Sequence, residues 1–242
     1  MSDFVNKLLE VAEGNATTKG IITEENAKKL EQLSSHMLEV NEHLNLTAIK
    51  DEDGVILKHL VDSSACVTYI PKGSRLADIG CGGGFPSLVI AILRGDVSVL
   101  GVDSVAKKVK YVDETASLLG LSNVEISSRR AEELGQDEEY RETFDIVTAR
   151  AVARLNILCE LCLPLLKLGG RFIAMKSQTT SEELEEAKNA IALVGGKLEK
   201  VDAYTLTNGK ETLERTMVVI KKVGKTPNKY PRNNSQIAKK PL

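Results

Sequence analysis

Hydrophobic residues near the start of the chain recur at steps of three and four positions, as they do on one buried face of an α-helix. The series runs through Ala27, Leu30, Leu33, Met37, Val40 and Leu44. Thr23 occupies the position of a helix N-cap, and a shorter helix is predicted over 4–12, ahead of Gly14. Because such a face must be buried against another element, we expect residues 1–70 to form a helical cap on the rest of the chain.

The pattern changes after residue 70 to short apolar runs that alternate with helical segments. The predicted strands begin at Leu76 and then cover 97–103, 123–127, 144–148, 171–176, 197–206 and 212–222, and the predicted helices cover 87–93, 104–119, 155–166 and 182–194. Asn208 and Gly209, between the last two strands, are typical of a β-hairpin. We therefore expect an α/β domain over 71–223, with a Rossmann-like, doubly wound sheet of seven strands that ends in an antiparallel hairpin.

A glycine-rich turn follows the first of these strands. The chain reads LADIGCGGGFP over 76–86, with Asp78 in the strand and Gly80, Gly82, Gly84 and Phe85 in the turn. Glycine permits a sharp turn and lets a ligand approach the main chain. The dinucleotide fingerprint G-x-G-x-x-G needs a glycine where Phe85 stands, so an NAD site is not predicted. A purely structural turn of an α/β protein stays open as the alternative.

Charged residues follow the next strands at the edge of the sheet where ligands of such folds bind. Asp103 ends the second strand, where a carboxylate can hold both hydroxyls of a ribose, and it could also cap the helix over 104–119. The third strand leads into Ala131 and Glu132, beside which an adenine could lie, and the fourth leads into Arg150. These positions predict a site for an adenine and a ribose.

Composition places the chain among globular proteins. Its 242 residues are 42% hydrophobic, with no apolar run long enough to span a membrane and no signal-peptide pattern, so we expect a cytoplasmic protein. The four cysteines are too few and too scattered for a disulfide framework. Cys159 and Cys162 form a C-x-x-C inside an apolar helix without a second pair or a histidine, which favours core packing over a metal site.

The end of the chain differs from the rest in charge. Seven of the 32 basic residues and none of the 34 acidic residues lie in 221–242, which leaves a net charge of −9 on the preceding part. We expect residues 224–242 to form an extended basic tail that contacts polyanions, with Lys229 and Arg232 as candidate substrate contacts. A tail that only keeps the protein soluble is the alternative.

Several longer strings together resemble one family. They are NLTA (45–48), H-x-x-D-S (59–63), DIGCGGGFPSL (78–88), RAE (130–132), FDIVTARAVA (144–153), ELCLPLLKLGG (160–170) and the closing YPR and PL. The glycine turn alone resembles motif I of the class I S-adenosylmethionine-dependent methyltransferases. The full set resembles the bacterial small-subunit ribosomal RNA guanine-N7 methyltransferases, the glucose-inhibited division protein B family. The tail departs from that family at Ser235 and Ile237, where glycine and proline are usual, so its conformation is left open.

The resemblance implies that a methyl group passes from S-adenosyl-L-methionine to N7 of one guanine in 16S ribosomal RNA. We expect a monomer whose partner is this RNA or the small ribosomal subunit. Guanine N7 carries a lone pair and no proton, so its methylation needs no general base, and the site has to align the reacting atoms. A methyltransferase of proteins or small molecules stays open, as does a non-enzymatic RNA-binding assembly factor.

The predicted cofactor contacts have two sources. Gly80, Phe85, Ala131, Glu132 and Arg150 come from the resemblance, and Asp78, Gly82, Gly84 and Asp103 come from the fold argument. Arg150 is also expected to orient the substrate base. Asn45, His59 and Asp62 are predicted in the wall between cap and core, beside the substrate, with His59 as a hydrogen-bonded structural residue rather than a base.

Overall fold

The computed structural model describes residues 1–177, 179 and 181–242. Its helices are α1 Asp3–Gly14, α2 Glu24–Leu44, α3 Glu52–Gly54, α4 Asp62–Ser64, α5 Ser87–Leu93, α6 Ala106–Leu118, α7 Ala131–Leu134, α8 Leu155–Cys162, α9 Ser181–Leu193 and α10 Asn234–Lys239. Its strands are β1 Arg75–Ile79, β2 Ser98–Val102, β3 Val124–Ser127, β4 Phe144–Arg150, β5 Leu166–Lys176, β6 Gly196–Thr207 and β7 Thr212–Lys222. A π-helix, Val55–Val61, joins α3 to α4, and short 3-10 turns cover Val67–Tyr69 and Leu163–Leu165.

The seven strands form one sheet in the order β3-β2-β1-β4-β5-β7-β6. The first five are parallel, and β7 runs antiparallel to both β5 and β6. The predicted doubly wound sheet with a terminal hairpin is therefore confirmed. The chain reverses its winding direction between β1 and β4, and a crevice for ligands opens at the carboxyl ends of strands on either side of such a point.

The helices α1 and α2 precede the sheet, in the segment 1–70 that is called the cap below, and the division of the chain into domains stays a prediction. Thr23 caps α2, because its side chain accepts a hydrogen bond from the backbone N–H of Asn26. The apolar face of α2 packs against α5 and α6 through residues such as Leu88 and Val112; Leu33 and Met37 are fully buried, and Val40 and Leu44 are partly buried. The cap therefore packs on the helices α5 and α6 and shares a core with them.

Two predicted helices have different ends in the structure. The helix predicted over 155–166 stops at Cys162, because Pro164 has no N–H to continue it, and Leu166 already belongs to β5. The helix predicted over 104–119 begins at Ala106, so Asp103 is not its N-cap.

The C-terminal tail is folded, and the prediction that it is extended is wrong. Tyr230 is 6% exposed and Ile237 is 1% exposed, and both pack in the core formed by the sheet, α8 and α9. Asn233 caps α10 by accepting a hydrogen bond from Gln236 N. The guanidinium of Arg141 donates to the backbone carbonyls of Thr226 and Tyr230 at 2.8 Å. Apolar side chains within the basic segment supply the burial that holds it against the domain.

The cysteines lie in the core, as their apolar surroundings in the sequence predicted. All four cysteines are buried thiols, and burial raises the pKa of Cys159. Among the described residues, no cluster of three or more histidine, cysteine or acidic side chains is arranged to hold a metal ion. No helix in the described part of the chain combines the length and apolarity that a membrane span requires.

Candidate active site

A cavity of about 670 Å³ lies at the carboxyl ends of the parallel strands, between the sheet and the cap. Its walls come from the glycine turn, the end of β2, the segment after β4, the end of β5, the hairpin and the π-helix of the cap. Of the residues predicted from the sequence, the lining includes Gly80, Gly82, Phe85, Asp103, Arg150, His59 and Asp62. The structure therefore gathers half of the predicted site residues around one cavity.

The glycine turn needs glycine for backbone reasons and for space. Gly82 has φ +56°, and a Cβ built there meets, among the described residues, only the backbone oxygen of Gly80 at 3.9 Å, so it would project into the cavity. A Cβ at Gly80 would collide with the side chain of Val152. Gly84 differs, because its Cβ would strike Leu88 at 2.6 Å, so this glycine serves the packing of α5 instead of facing the cavity.

Asp78 lies beneath the glycine turn and is fully buried. Its Oδ1 accepts a hydrogen bond from Thr148 Oγ1 at 2.8 Å, and its Oδ2 accepts from Ser87 Oγ at 2.5 Å and from Ser87 N at 3.2 Å. Burial raises the pKa of this carboxyl group, while the hydroxyl donors oppose the rise. Asp78 thus ties β1 to β4 and to the start of α5, and the structure gives it this supporting role where the sequence suggested a direct cofactor contact.

Asp103 faces the cavity at the tip of β2. Its Oδ2 accepts a hydrogen bond from the backbone N–H of Gly82 at 2.9 Å, and its Oδ1 accepts from Val105 N at 2.9 Å. A carboxylate has lone pairs for further donors, so these two bonds hold the side chain in place without exhausting its capacity. The geometry suits a group that orients the glycine turn and receives hydroxyl donors from a ligand.

Ala131 and Glu132 begin α7, directly after β3, at the same edge of the sheet. Ala131 is buried and packs in the core with Leu134. Neither residue belongs to the lining of the described cavity, which ends at Asp103 on this side. Their predicted contact with an adenine stays a prediction.

Arg150 ends β4 and points its guanidinium towards the cap. Its Nη1 donates to the backbone oxygen of Lys58 at 2.9 Å and to Asp62 Oδ2 at 3.0 Å. The guanidinium carbon lies 5.9 Å from the centre of the Phe85 ring. Asp62 also accepts from Arg215 Nε at 2.8 Å, so one carboxylate holds two arginines at the cavity.

His59 lies in the π-helix and stacks on Phe85, with ring centres 4.6 Å apart and an angle of 17° between the rings. Its Nδ1 faces Arg150 Nη2 at 3.5 Å and its Nε2 lies 2.9 Å from Thr47 Oγ1. Since arginine can only donate, we assign Nδ1 as the acceptor and Nε2 as the protonated nitrogen. Burial, assisted by the charge of Arg150, lowers the pKa of His59 to about 3, so the ring is neutral.

Three predicted substrate residues lie outside the cavity lining. Asn45 is exposed and ends α2 in the left-handed conformation, with φ +51°. Arg232 is bound through its guanidinium to Glu160, and Lys229 is exposed beside the ring of Tyr230. The folded tail thus commits Arg232 to an internal ion pair, and a role of Lys229 towards RNA stays a prediction.

Sequence reasoning missed seven polar residues that line the cavity: Thr47, Lys58, Lys108, Lys176, Ser177, Tyr204 and Arg215. Thr47 was within reach, because it belongs to the NLTA string whose asparagine was chosen instead. Lys176 ends β5, the one parallel strand whose carboxyl end was not searched, and its Nζ donates to the backbone oxygen of Ala153. Arg215 has no comparable signal, since a charged residue in a hairpin strand is usually solvent-exposed.

A family model described as rRNA small subunit methyltransferase G (GidB) matches residues 26–213 of this chain. Ribosomal RNA small subunit methyltransferase G of Lactobacillus delbrueckii subsp. bulgaricus is 46% identical over 210 residues, which are 85% of this chain and 87% of that protein. The protein of the same name from Geobacillus sp. is 42% identical, over 93% of this chain and 94% of that protein.

Solved structures share the fold at much lower identity. A SAM-dependent O-methyltransferase from Thermotoga maritima is 17% identical and superposes with a TM-score of 0.52, over 79% of this chain and 72% of that chain. NSun6 from Pyrococcus horikoshii, solved with SFG, is 16% identical with a TM-score of 0.54, over 67% of this chain and 51% of that chain. These structures support the Rossmann-like class I fold, and the sequence matches along most of the chain are specific: the chain belongs to the rRNA small subunit methyltransferase G family.

Proposed function

We propose that this protein transfers the methyl group of S-adenosyl-L-methionine to N7 of a guanine in 16S ribosomal RNA. The family description and the names of the relatives support ribosomal RNA of the small subunit as the substrate. One observation carries the proposal for this chain: the glycine turn and two arginines line the same cavity. A cofactor surface and donors for an RNA substrate are thus adjacent.

The residues of the cavity fit S-adenosyl-L-methionine. Gly82 leaves space beside the main chain that any Cβ would fill, and the Asp103 carboxylate next to it accepts hydrogen bonds from hydroxyl groups. Phe85 adds an apolar ring that His59 holds in place by stacking. When bound, this cofactor supplies an electrophilic methyl group.

Two titratable groups on the cap side of the cavity, His59 and Asp62, are held by partners, which supports an acceptor atom that has no proton to lose. His59 is neutral, and both of its ring nitrogens face partners. Both oxygens of Asp62 accept from arginines. Guanine N7 presents a lone pair, so its reaction requires alignment with the methyl group and no proton transfer to an enzyme base. Arg150 and Arg215 have donors suited to the oxygen atoms of such a substrate.

A methylation assay tests the proposal. The purified protein is incubated with methyl-labelled S-adenosyl-L-methionine and either small subunits or free 16S RNA from cells that lack the gene. We expect label in 7-methylguanosine at one position, identified by nuclease digestion and mass spectrometry. Label in another nucleotide, or only in protein or small molecules, would contradict it. RNA binding without any transfer would instead support the assembly-factor alternative. The monomeric state and the cytoplasmic location stay predictions.

A further inference from the structure

Asp62 is a buried carboxylate shared by two arginines from different strands. It is 5% exposed, with Arg150 on its Oδ2 and Arg215 on its Oδ1. Arg150 ends β4 and Arg215 lies in β7, and β5 runs between these two strands in the sheet. The aspartate itself comes from the cap, so it bridges two side chains that no strand pairing brings together.

The two arginines line the cavity and keep N–H donors that have no partner among the described residues. Arg215 donates through Nε to Asp62 and through Nη1 to the backbone oxygen of Glu214 at 3.0 Å. Arg215 makes no other hydrogen bond in the part of the chain that the structure describes, so its Nη2 is available to a ligand. Arg150 is fixed from the other side by Asp62 and by the carbonyl of Lys58. Both guanidinium groups line the cavity.

A shared carboxylate has two physical consequences for such a pair. It offsets the mutual repulsion of two cations that converge on one cavity. It also fixes long, flexible side chains before a ligand arrives, so less conformational entropy is lost when the ligand binds. The same carboxylate would be costly to bury unless both oxygens were paired, as they are here.

We propose that Asp62 is a positioning residue that holds Arg150 and Arg215 as a pair of donors for oxygen atoms of the RNA substrate. In this role Asp62 acts through the two guanidinium groups, whose hydrogen bonds occupy both of its oxygens. This inference rests on the proposed RNA methylation and names the residues that fix the substrate side of the site.

The test uses Asp62→Asn, which keeps the shape of the side chain and removes its charge. The rate of methyl transfer is measured in single turnovers at saturating RNA and cofactor, and cofactor affinity is measured by calorimetry. We expect the rate to fall at least about tenfold, with cofactor affinity within about threefold of the wild type. Glu160→Gln is the matched control, because it neutralises a carboxylate that binds an arginine away from the cavity. Its rate should stay within about twofold of the wild type.

A double variant separates positioning from a general loss of structure. If Asp62 acts through the arginines, then Asp62→Asn combined with Arg215→Gln is no more than about threefold slower than the slower single variant. Independent, multiplicative losses overturn the inference, as does a single-variant rate within about twofold of the wild type.

Two further results are decisive. If Asp62→Asn does not fold, Arg215→Gln and Arg150→Gln are tested in its place. Each of these variants is expected to transfer the methyl group at least about tenfold more slowly than the wild type. Rates equal to that of the wild type would overturn the inference. If the wild type methylates the RNA and the variants do so at the same rate, only this inference is refuted. A wild-type protein that does not methylate the RNA refutes the proposed function as well.

Discussion

The cavity and the contact between the C-terminal tail and α8 each contain a buried carboxylate bound by arginine, but the two arrangements differ. In the tail, Arg232 donates through Nε and Nη2 to the two oxygens of Glu160, and its backbone N–H binds the same carboxylate. In the cavity, Asp62 divides its oxygens between Arg150 and Arg215. In the tail, Arg232 and Glu160 satisfy each other's hydrogen bonds. In the cavity, Arg150 and Arg215 keep N–H donors that a ligand can use.

This difference shows that positive charge alone does not mark a substrate surface. The tail carries a concentration of basic residues, yet its arginine is used to hold the tail against α8. The cavity is lined by lysines and arginines as well, and the guanidinium groups of Arg150 and Arg215 are held there by Asp62. Loss of the tail pair should therefore affect stability, and changes around the cavity should affect binding and catalysis.

Arg232→Ala should produce the largest effect, on stability alone. It leaves the fully buried Glu160 carboxylate without its partner, which costs about 3–5 kcal/mol and lowers the melting temperature by roughly 6–20 °C. Circular dichroism melting measures the change, and cofactor affinity should stay within about twofold of the wild type. Lys229→Ala, at an exposed neighbour, is the control and should melt like the wild type. A loss under about 1 kcal/mol would show that the pair does not anchor the tail.

Gly82→Val should weaken cofactor binding by at least about a hundredfold while the domain stays folded, because the added side chain projects into the cavity. Calorimetry with S-adenosyl-L-methionine measures this loss. Gly209→Val is the matched control: it also places valine at a positive φ, +82°, but in the hairpin turn, where no described atom lies within 4 Å of the new Cβ. Equal cofactor affinity in both variants would remove the glycine turn from the cofactor site.

Asp103→Ala should reduce cofactor affinity about ten- to a hundredfold, since charge-assisted hydrogen bonds contribute about 1.5–3 kcal/mol. The backbone N–H of Gly82 would also lose its acceptor. Asp103→Asn keeps one acceptor oxygen, so its loss should be smaller, and titration calorimetry can rank the two variants. If neither changes affinity by more than about twofold, the role of Asp103 is limited to holding the turn.

The smallest expected effect concerns His59 and pH. Its pKa is about 3 in the folded protein and about 6.5 in an unfolded chain, so between these values the unfolded state binds more protons and stability falls as pH falls. Between pH 7 and pH 5, the wild type should lose about 1–2 kcal/mol more stability than His59→Gln. Urea denaturation at both pH values measures the difference. Parallel losses in the two proteins would contradict a buried neutral histidine.

Most of the fold could be predicted from local patterns. The period of the apolar residues in α2, the Asn-Gly hairpin turn and the short apolar strands each depend on neighbours in the chain. The glycine turn could be predicted for the same reason, because positive φ at Gly82 is a local requirement that few other residues meet. Pro164, which ends α8, was an equally local signal that the predicted helix over 155–166 disregarded.

The sequence by itself determined the order of strands and helices, the glycine turn and, through its longer strings, the family. Only the tertiary structure decided which charged side chains are free for a ligand. Asp78 is buried beneath the turn it was expected to share with the cofactor, Arg232 is paired with Glu160, and Arg215 reaches the cavity across the sheet. Composition counts charges, but the availability of a charge depends on burial and on partners distant in the chain, such as the 153 residues between Arg215 and Asp62.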